Sequence, residues 1–189
     1  LPREIVPILS GGGTRLSCYI GILRALEDMG FYYRHIVGVS GGSIVAALAA
    51  AGWDNQRMAQ LALNTDFNQF RGYSAMSLLR AGGLSSGDVF ENWIDQQLES
   101  RRFRDLAADL HVLATDINSG GPVVFSRAVT PEMRVSQAVR FSMSIPLLFS
   151  FKTHEGRIMA DGAILSEDAL HRDWSGRGGP RRGRRRRPA

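Results

Sequence analysis

Residues 35–51 read HIVGVSGGSIVAALAAA and combine a short apolar segment, a glycine-rich turn and a run of small apolar residues. The first five residues, 35–39, have the length and β-branched content of a buried strand, and residues 43–51 have the composition of a helix. Between them, Gly38-Val39-Ser40-Gly41-Gly42 fits the pattern G-x-S-x-G. In this context the pattern is typical of a tight strand-to-helix turn that exposes the serine hydroxyl. Ser40 is therefore a candidate nucleophile.

A similar unit precedes this stretch. Residues 4–10 (EIVPILS) predict a short buried strand, which ends at the glycine run Gly11-Gly12-Gly13. Apolar residues then recur at three- and four-residue spacing over 16–29, which predicts a helix, and Gly30 follows where a left-handed cap is expected. Alternating strands and helices indicate parallel strands with right-handed crossovers. The sequence predicts an α/β fold with three layers, α/β/α, around a central, mostly parallel sheet.

Two hairpins are predicted in the second half of the chain. Residues 110–115 and 122–125 are expected to form one pair of strands, and residues 147–153 and 157–160 the other. The last strand leads directly into Asp161-Gly162-Ala163.

The positive charge of the chain is concentrated at its end. The 189 residues include 23 Lys and Arg against 18 Asp and Glu, and seven of the arginines lie within residues 174–189, which contain no acid. We therefore expect one folded, nearly neutral domain at 1–173 and a basic Arg/Gly/Pro-rich tail at 174–189 that is disordered. A neutral body argues against nucleic acid as a partner.

Several classes of protein are excluded by composition. A single cysteine, Cys18, and the lack of zinc-spaced Cys and His residues predict neither a disulfide framework nor a metal site. Cys18 is expected to be a small buried residue of the first helix. The longest apolar stretch, 44–53, is about half as long as a transmembrane helix, and the start of the chain lacks a signal-peptide pattern. We expect a cytoplasmic protein, with peripheral membrane contact left open.

The two glycine-rich turns are expected to face each other. Neighbouring parallel strands end at the same edge of a sheet, which would place Gly11-Gly12-Gly13 about 5 Å from the turn at Ser40. Bare amide groups at a helix start are suited to bind a developing oxyanion. Glycine runs also bind phosphates, but the dinucleotide-binding pattern requires a glycine where Leu16 lies and an acidic residue where Ser40 lies.

A nucleophilic serine needs a base, and Asp161 is the best candidate because it ends a strand and is followed by a glycine. A free aspartate, with a pKa of about 3.9, is a weak base, although burial would raise that value. The alternative is a triad of Ser40, Asp116 and His154, since Ser, Asp, His is the chain order of α/β-hydrolases.

Three motifs together resemble those of the patatin-like phospholipases: Gly11-Gly12-Gly13-Thr14-Arg15, Gly38-Val39-Ser40-Gly41-Gly42 and Asp161-Gly162-Ala163. The resemblance implies a Ser/Asp dyad without histidine, in which Ser40 is the nucleophile and Asp161 the base. It also implies an oxyanion hole of backbone amides in the segment from Gly11 to Thr14. Arg15 would anchor this loop or contact a lipid phosphate.

The chain departs from the family pattern at two places. Leu16 lies where the family commonly has a glycine. After Asp161 the chain continues into Ser166-Glu167-Asp168-Ala169-Leu170 and the arginine-rich tail, whereas the family usually continues with further strand and helix. An aberrant or truncated C-terminus is therefore expected.

The resulting prediction is a serine acyl hydrolase of lipids or other carboxylic esters, similar to phospholipase A or lysophospholipase, without a cofactor. Its expected partner is a lipid or ester substrate, and peripheral contact with a membrane is left open. The same dyad with an acceptor other than water would make an acyltransferase. A further alternative is a catalytically impaired patatin-like fold that binds lipid or RNA through its basic tail.

Overall fold

The computed structural model describes residues 3–12, 15–66, 70, 87–144, 152–165, 169 and 172–174. Its strands are β1 (Arg3–Glu4), β2 (Ile8–Ser10), β3 (Phe31–Tyr32), β4 (His35–Val39), β5 (Asp109–Asp116), β6 (Gly121–Ser126), β7 (Lys152–His154) and β8 (Arg157–Ala160). Its helices are α1 (Cys18–Asp28), α2 (Gly41–Ala50), α3 (Asn55–Asn64), α4 (Asp88–Gln97) and α5 (Val135–Ser142). Two short 3-10 segments span Phe103–Asp105 and Gly162–Leu165.

The main sheet is centred on β5. Strands β2, β4 and β5 are parallel neighbours, while β6 and β8 both pair with β5 in antiparallel fashion and β7 extends the sheet from β8. Strands β1 and β3 form a separate parallel pair. Helices pack against this sheet, and the predicted α/β class is confirmed.

The segment predicted as one strand over residues 4–10 is two strands instead. β1 pairs with β3, whereas β2 pairs with β4. The break contains Pro7, which has no N–H to donate to a ladder. Its carbonyl still accepts a hydrogen bond from the Val37 N–H at 2.9 Å, which directs the chain into β2.

Helix α2 packs unusually close to the sheet because of two glycines. A Cβ on Gly38 of β4 would lie 2.5 Å from the Ser43 Cα, and one on Gly42 would lie 2.0 Å from the Leu9 carbonyl oxygen. All ten residues of α2 are buried. The short side chains of the sequence 41–50 therefore place the helix start directly over the ends of β2 and β4.

The two faces of the sheet carry different groups of buried residues. Ile36, Leu110 and Val112 pack among residues of the helices, whereas Val37 and Leu113 pack with residues from the C-terminal end of the described chain. This alternation follows from the two-residue period of the strands.

Trp174 belongs to that second group. Its side chain is buried, and its indole N–H donates to the Ala169 carbonyl at 2.7 Å. The residues after Trp174 lie outside the described part of the chain, so the proposed division into a 1–173 domain and a 174–189 tail stays a prediction.

Other local expectations have mixed outcomes. The first hairpin is present, and Gly30 has the left-handed φ of 78° expected of a helix cap. The expectation that Cys18 is buried is wrong: it is exposed at the first position of α1, whose buried residues are Ile20 and Leu23. None of the helices in the described ranges combines the length and hydropathy that crossing a membrane requires.

Candidate active site

Ser40 lies at the junction between β4 and α2. Its φ of 52° and ψ of −132° are values that residues with a side chain rarely adopt, and the residue is 5% exposed. A strained backbone of this kind persists only where the surrounding structure holds it. These dihedral angles are those expected of a serine on a strand-to-helix elbow.

Hydrogen bonds between Ser40 and two other serines hold this elbow. Ser43 donates to the Ser40 carbonyl through its N–H at 2.9 Å and its hydroxyl at 2.6 Å. The Ser40 N–H donates to Ser142 Oγ at 2.8 Å, and the Ser142 hydroxyl donates to the Leu113 carbonyl at 2.6 Å. The backbone of Ser40 is thus connected to α5 and β5 through one buried hydroxyl.

The Ser40 side chain contacts Asp161. The Ser40 hydroxyl donates to Asp161 Oδ2 at 2.7 Å, and Asp161 is 4% exposed. The register of the sheet explains the contact: Val39 at the end of β4 pairs with Leu113 of β5, and Ala160 at the end of β8 pairs with Thr115. Because β4 and β8 run in opposite directions along β5, the residues that follow them meet.

Three further groups hold Asp161 in place. Its N–H donates to the Ser144 carbonyl at 3.0 Å, and its carbonyl accepts from Thr115 Oγ1 at 3.0 Å. The second carboxylate oxygen, Oδ1, accepts from the Ala163 N–H at 2.7 Å. The next residue must be glycine, because a Cβ on Gly162 would lie 2.2 Å from the Leu113 carbonyl oxygen.

The electrostatic environment of Asp161 favours its protonated form. Burial raises the pKa of the Asp161 carboxyl, and this effect exceeds the opposing effect of the hydrogen bonds from Ser40 and Ala163, which lower the pKa. A carboxylate with a raised pKa is a stronger base than aspartate in water. Asp161 is therefore suited to accept a proton from the Ser40 hydroxyl.

The glycine loop lies next to this pair. Gly11 and Gly12 have φ values of 75° and 99°. The Gly11 N–H donates to the Val39 carbonyl at 3.0 Å, which joins the loop to the end of β4 and occupies that amide. Of the oxyanion-hole residues predicted from sequence, Gly12 is the described residue whose backbone N–H is left as a candidate donor. Gly13 and Thr14 lie outside the described residues.

The residue after the loop, Arg15, has an exposed side chain, and its N–H donates to the Gly12 carbonyl at 2.8 Å. The main chain of Arg15 therefore closes the turn. Its guanidinium makes no hydrogen bond to another described residue.

The alternative triad is not assembled in the described part of the chain. The Asp116 carboxylate accepts from the Asn118 N–H and the Ser119 hydroxyl in the β5–β6 turn. The His154 ring packs 5.5 Å from the rings of Phe125 and Phe141. Neither side chain is hydrogen-bonded to Ser40 in this part of the chain.

The sequence analysis assigned no role to the residues around the dyad that lie on α5 and just beyond it. Besides Ser142 and Ser144, the fully buried Arg140 belongs to this group, and its Nη1 donates to Ser144 Oγ at 2.8 Å. The signal was present as alternating serines in the sequence RFSMSIP at 140–146, at the end of a short helix. Serines at that spacing can form side-chain hydrogen bonds to backbone groups in the turn that follows a helix.

The profile of the patatin-like phospholipase family matches residues 8–171. The chain belongs to the patatin-like phospholipase family. The matched range includes all three motifs.

Individual patatin-like relatives extend the comparison. The uncharacterized protein YqhO of Bacillus subtilis is 31% identical over 183 residues, which cover 84% of this chain and 63% of YqhO. Lysophospholipase nte1 of Aspergillus fumigatus is 26% identical over 171 residues, covering 86% of this chain and 10% of that protein. The chain thus spans less than two thirds of the length of these curated relatives.

A solved structure shares the same fold. The crystal structure of VipD from Legionella pneumophila superposes with a TM-score of 0.68 at 18% sequence identity, covering 87% of this chain and 46% of VipD. At that identity the likeness establishes the patatin-like fold.

Proposed function

We propose that this patatin-like chain is a serine acyl hydrolase of lipids or related carboxylic esters, with Ser40 as the nucleophile and Asp161 as the base. The observation that carries the proposal is the 2.7 Å hydrogen bond from the Ser40 hydroxyl to Asp161 Oδ2, made at a strained strand-to-helix elbow. Membership of a phospholipase family and the similarity to a protein named as a lysophospholipase support the lipid substrate.

The first half of the reaction forms an acyl-enzyme. The Ser40 oxygen attacks the ester carbonyl while its proton moves to Asp161 Oδ2, and the carbonyl oxygen becomes an oxyanion. The amide of Gly12, with those of Gly13 and Thr14, stabilises that charge, and the positive end of the α2 dipole adds to the effect. Asp161 then gives the proton to the leaving alcohol as the tetrahedral intermediate collapses.

The second half repeats these steps with water. Asp161, again ionised, accepts a proton from a water molecule as its oxygen attacks the Ser40 ester. Collapse of the second intermediate releases the carboxylic acid and returns the proton to Ser40. An alcohol in place of water would give acyl transfer by the same sequence of steps.

The proposal is tested by ester hydrolysis and by labelling with a fluorophosphonate probe. We expect the intact chain to hydrolyse p-nitrophenyl esters and lysophospholipids and to be labelled. Ser40→Ala and Asp161→Asn should each lower kcat/KM by about 10⁴-fold. Catalytic residues that act together lose most of their rate enhancement when one of them is removed. His154→Ala is the matched control and should retain activity.

Persistent labelling in Ser40→Ala would contradict the assignment of the nucleophile. Loss of activity in His154→Ala, with Asp161→Asn still active, would favour the triad instead. A folded chain that neither hydrolyses esters nor reacts with the probe would favour the noncatalytic alternative. Chromatography of the products, as free acid or as acylated acceptor, distinguishes hydrolase from acyltransferase.

A further inference from the structure

A group of metal-ligand side chains lies at the opposite end of β4 from Ser40. His35, Asp109 and His111 each offer one ligand atom, and these atoms lie within 4.8 Å of one another. His35 is the first residue of β4, and Ser40 follows the last, so about five residue steps of roughly 3.3 Å separate them along the strand. This cluster has no part in the proposed acyl transfer.

The sheet register brings these three side chains together. His35 pairs with Asp109 across the parallel strands β4 and β5, and His111 lies two residues further along β5. Paired residues, and residues two apart on one strand, have side chains on the same face of a sheet. The arrangement is therefore built into two adjacent strands of the core sheet.

The distances are close to those of a metal site. His35 Nδ1 lies 3.5 Å from Asp109 Oδ2, and His111 Nε2 lies 4.0 Å from the same oxygen. Ligands bound to zinc at about 2.0–2.2 Å in tetrahedral geometry are roughly 3.4 Å apart. Small rotations of the side chains would bring all three atoms onto one ion.

The ligand atoms also have no other use in the described part of the chain. The two histidine nitrogens, His35 Nδ1 and His111 Nε2, and the second carboxylate oxygen of Asp109, Oδ1, are buried and have no hydrogen-bond partner there. Buried polar atoms are almost always satisfied, so three together require an explanation. An ion pair between His35 and Asp109 would leave His111 Nε2 without a partner.

We propose that His35, Asp109 and His111 bind a divalent zinc ion that joins β4 to β5. Two imidazole nitrogens and one carboxylate oxygen are a ligand set that suits zinc, and a water molecule would complete the tetrahedron. The sequence analysis predicted no metal site because it sought zinc-spaced Cys and His motifs, whereas these ligands come from strands separated by more than seventy positions.

The neighbouring Trp174 gives the proposed site a structural role and a spectroscopic reporter. The His111 and Trp174 rings have centroids 5.0 Å apart. The metal would orient His111, against which Trp174 packs on the face of the sheet away from the helices. A paramagnetic ion bound by His111 would lie close enough to quench Trp174 fluorescence.

The first test is calorimetric titration of the metal-free, untagged full chain with zinc chloride. We expect one zinc per chain and a rise in Tm with zinc concentration. We expect roughly 10- to 100-fold weaker zinc binding, or more, in each of three variants: His35→Ala, His111→Ala and the isosteric Asp109→Asn. Loss of a group that only hydrogen-bonds to a metal ligand already weakens binding by that factor. Circular dichroism confirms that each variant is folded.

Matched controls are His154→Ala, which removes a histidine outside the cluster, and Cys18→Ser, which removes the exposed thiol. Both should bind zinc like the parent chain. The absence of saturable zinc binding would overturn the proposal, as would unchanged affinity in folded His35→Ala and His111→Ala.

Cobalt(II) provides an independent readout. It should give the visible absorption of a four-coordinate ion and quench tryptophan fluorescence in the parent chain. Quenching should be lost in His111→Ala and strongly reduced in Trp174→Phe. Equal quenching in all three chains would place the ion elsewhere and contradict the proposal.

Discussion

Asp161 is the residue whose chemistry depends most on its surroundings. Exposed aspartate titrates at about pH 3.9 and is a poor base toward a serine hydroxyl. In this structure the carboxylate is buried, and one oxygen contacts Ser40 while the other accepts from the Ala163 N–H. Burial raises its pKa, and the hydrogen bonds from Ser40 and Ala163 oppose this effect because they stabilise the ionised form.

This environment predicts the pH dependence of the proposed activity. The base must be ionised, so kcat/KM should fall as the pH drops through the raised pKa of Asp161, and the acid limb should lie above the ordinary aspartate value of about 3.9. A pH profile of ester hydrolysis measures this limb. A limb at the ordinary aspartate value, or one that disappears in His154→Ala, would contradict the assignment.

Ser142 is predicted to position Ser40 without touching substrate. Ser142→Ala removes both the acceptor for the Ser40 N–H and the donor to the Leu113 carbonyl, which should cost roughly 1–3 kcal/mol of unfolding free energy. We expect kcat/KM to fall by about 10- to 100-fold, because small displacements of a nucleophile have effects of that size. Urea unfolding and ester hydrolysis provide the two measurements.

Ser136 on the same helix supplies the control. It is buried, and its hydroxyl donates to Asp95 Oδ1 at 2.6 Å rather than to any residue of the dyad. Ser136→Ala should therefore lower stability by a similar amount and leave kcat/KM unchanged. An equal loss of activity in both variants would mean that Ser142 acts only through stability.

At the scale of elements, the close packing of α2 on the sheet positions the nucleophile. Gly38 and Gly42 allow the helix to approach β4 and β2 so closely that no side chain fits between them. The start of α2 at Gly41 therefore lies at the edge of the sheet where β2 and β4 end and the glycine loop begins. A looser contact would move Ser40 away from Asp161.

Gly42→Ala tests this packing. The new Cβ would lie 2.0 Å from the Leu9 carbonyl oxygen, so the helix must shift. We expect a loss of roughly 1–3 kcal/mol or more in unfolding free energy, as for other overpacked sites, together with a loss of hydrolysis. Thermal unfolding and the ester assay measure the two effects.

Gly21→Ala is the matched helical control. Gly21 is exposed on α1, and a Cβ there would meet no atom within 4 Å. Since alanine favours a helix over glycine by about 1 kcal/mol, this variant should be as stable as the parent or more so. A tolerated Gly42→Ala with full activity would show that α2 can move without cost.

At the scale of the molecule, β5 is the strand on which the fold is assembled. It pairs with β4 and β8 along one edge and with β6 along the other. The opposed directions of β4 and β8 bring Ser40 and Asp161 together, and the other end of the β4–β5 pair carries the proposed zinc ligands. One strand therefore organises both sites.

The C-terminal end of the described chain should contribute to this assembly. Trp174→Ala removes a buried side chain that packs with Val37 and Leu113, and we expect a loss of about 3–5 kcal/mol in unfolding free energy. Trp174→Phe retains most of the packing but loses the hydrogen bond to Ala169, at a cost of about 1 kcal/mol. Urea unfolding measures both.

Deletion of residues 175–189 serves as the comparison, since it leaves Trp174 in place. This shorter chain should unfold at nearly the same urea concentration as the full chain. Trp174→Ala with unchanged stability would contradict the packing role inferred here.

Patterns confined to short segments could be predicted well. The strand at 35–39 and the left-handed position of Gly30 follow from apolar spacing and from the conformational freedom of glycine. The split of residues 4–10 into two strands and the exposure of Cys18 could not, because both depend on which neighbour each residue meets. The same holds for Ser142, whose partners lie 102 and 29 positions away in the chain.

The amino-acid sequence by itself determined the elbow at Ser40, the glycine loop before α1 and the strand that ends at Asp161, because turn geometry and periodicity act over a few residues. Only the tertiary structure decided that Ser40 and Asp161, 121 positions apart, share a hydrogen bond, that the Gly11 amide is occupied, and that His35 lies beside Asp109 and His111. These outcomes depend on strand order and register, which are set by long-range pairing and burial over the whole sheet.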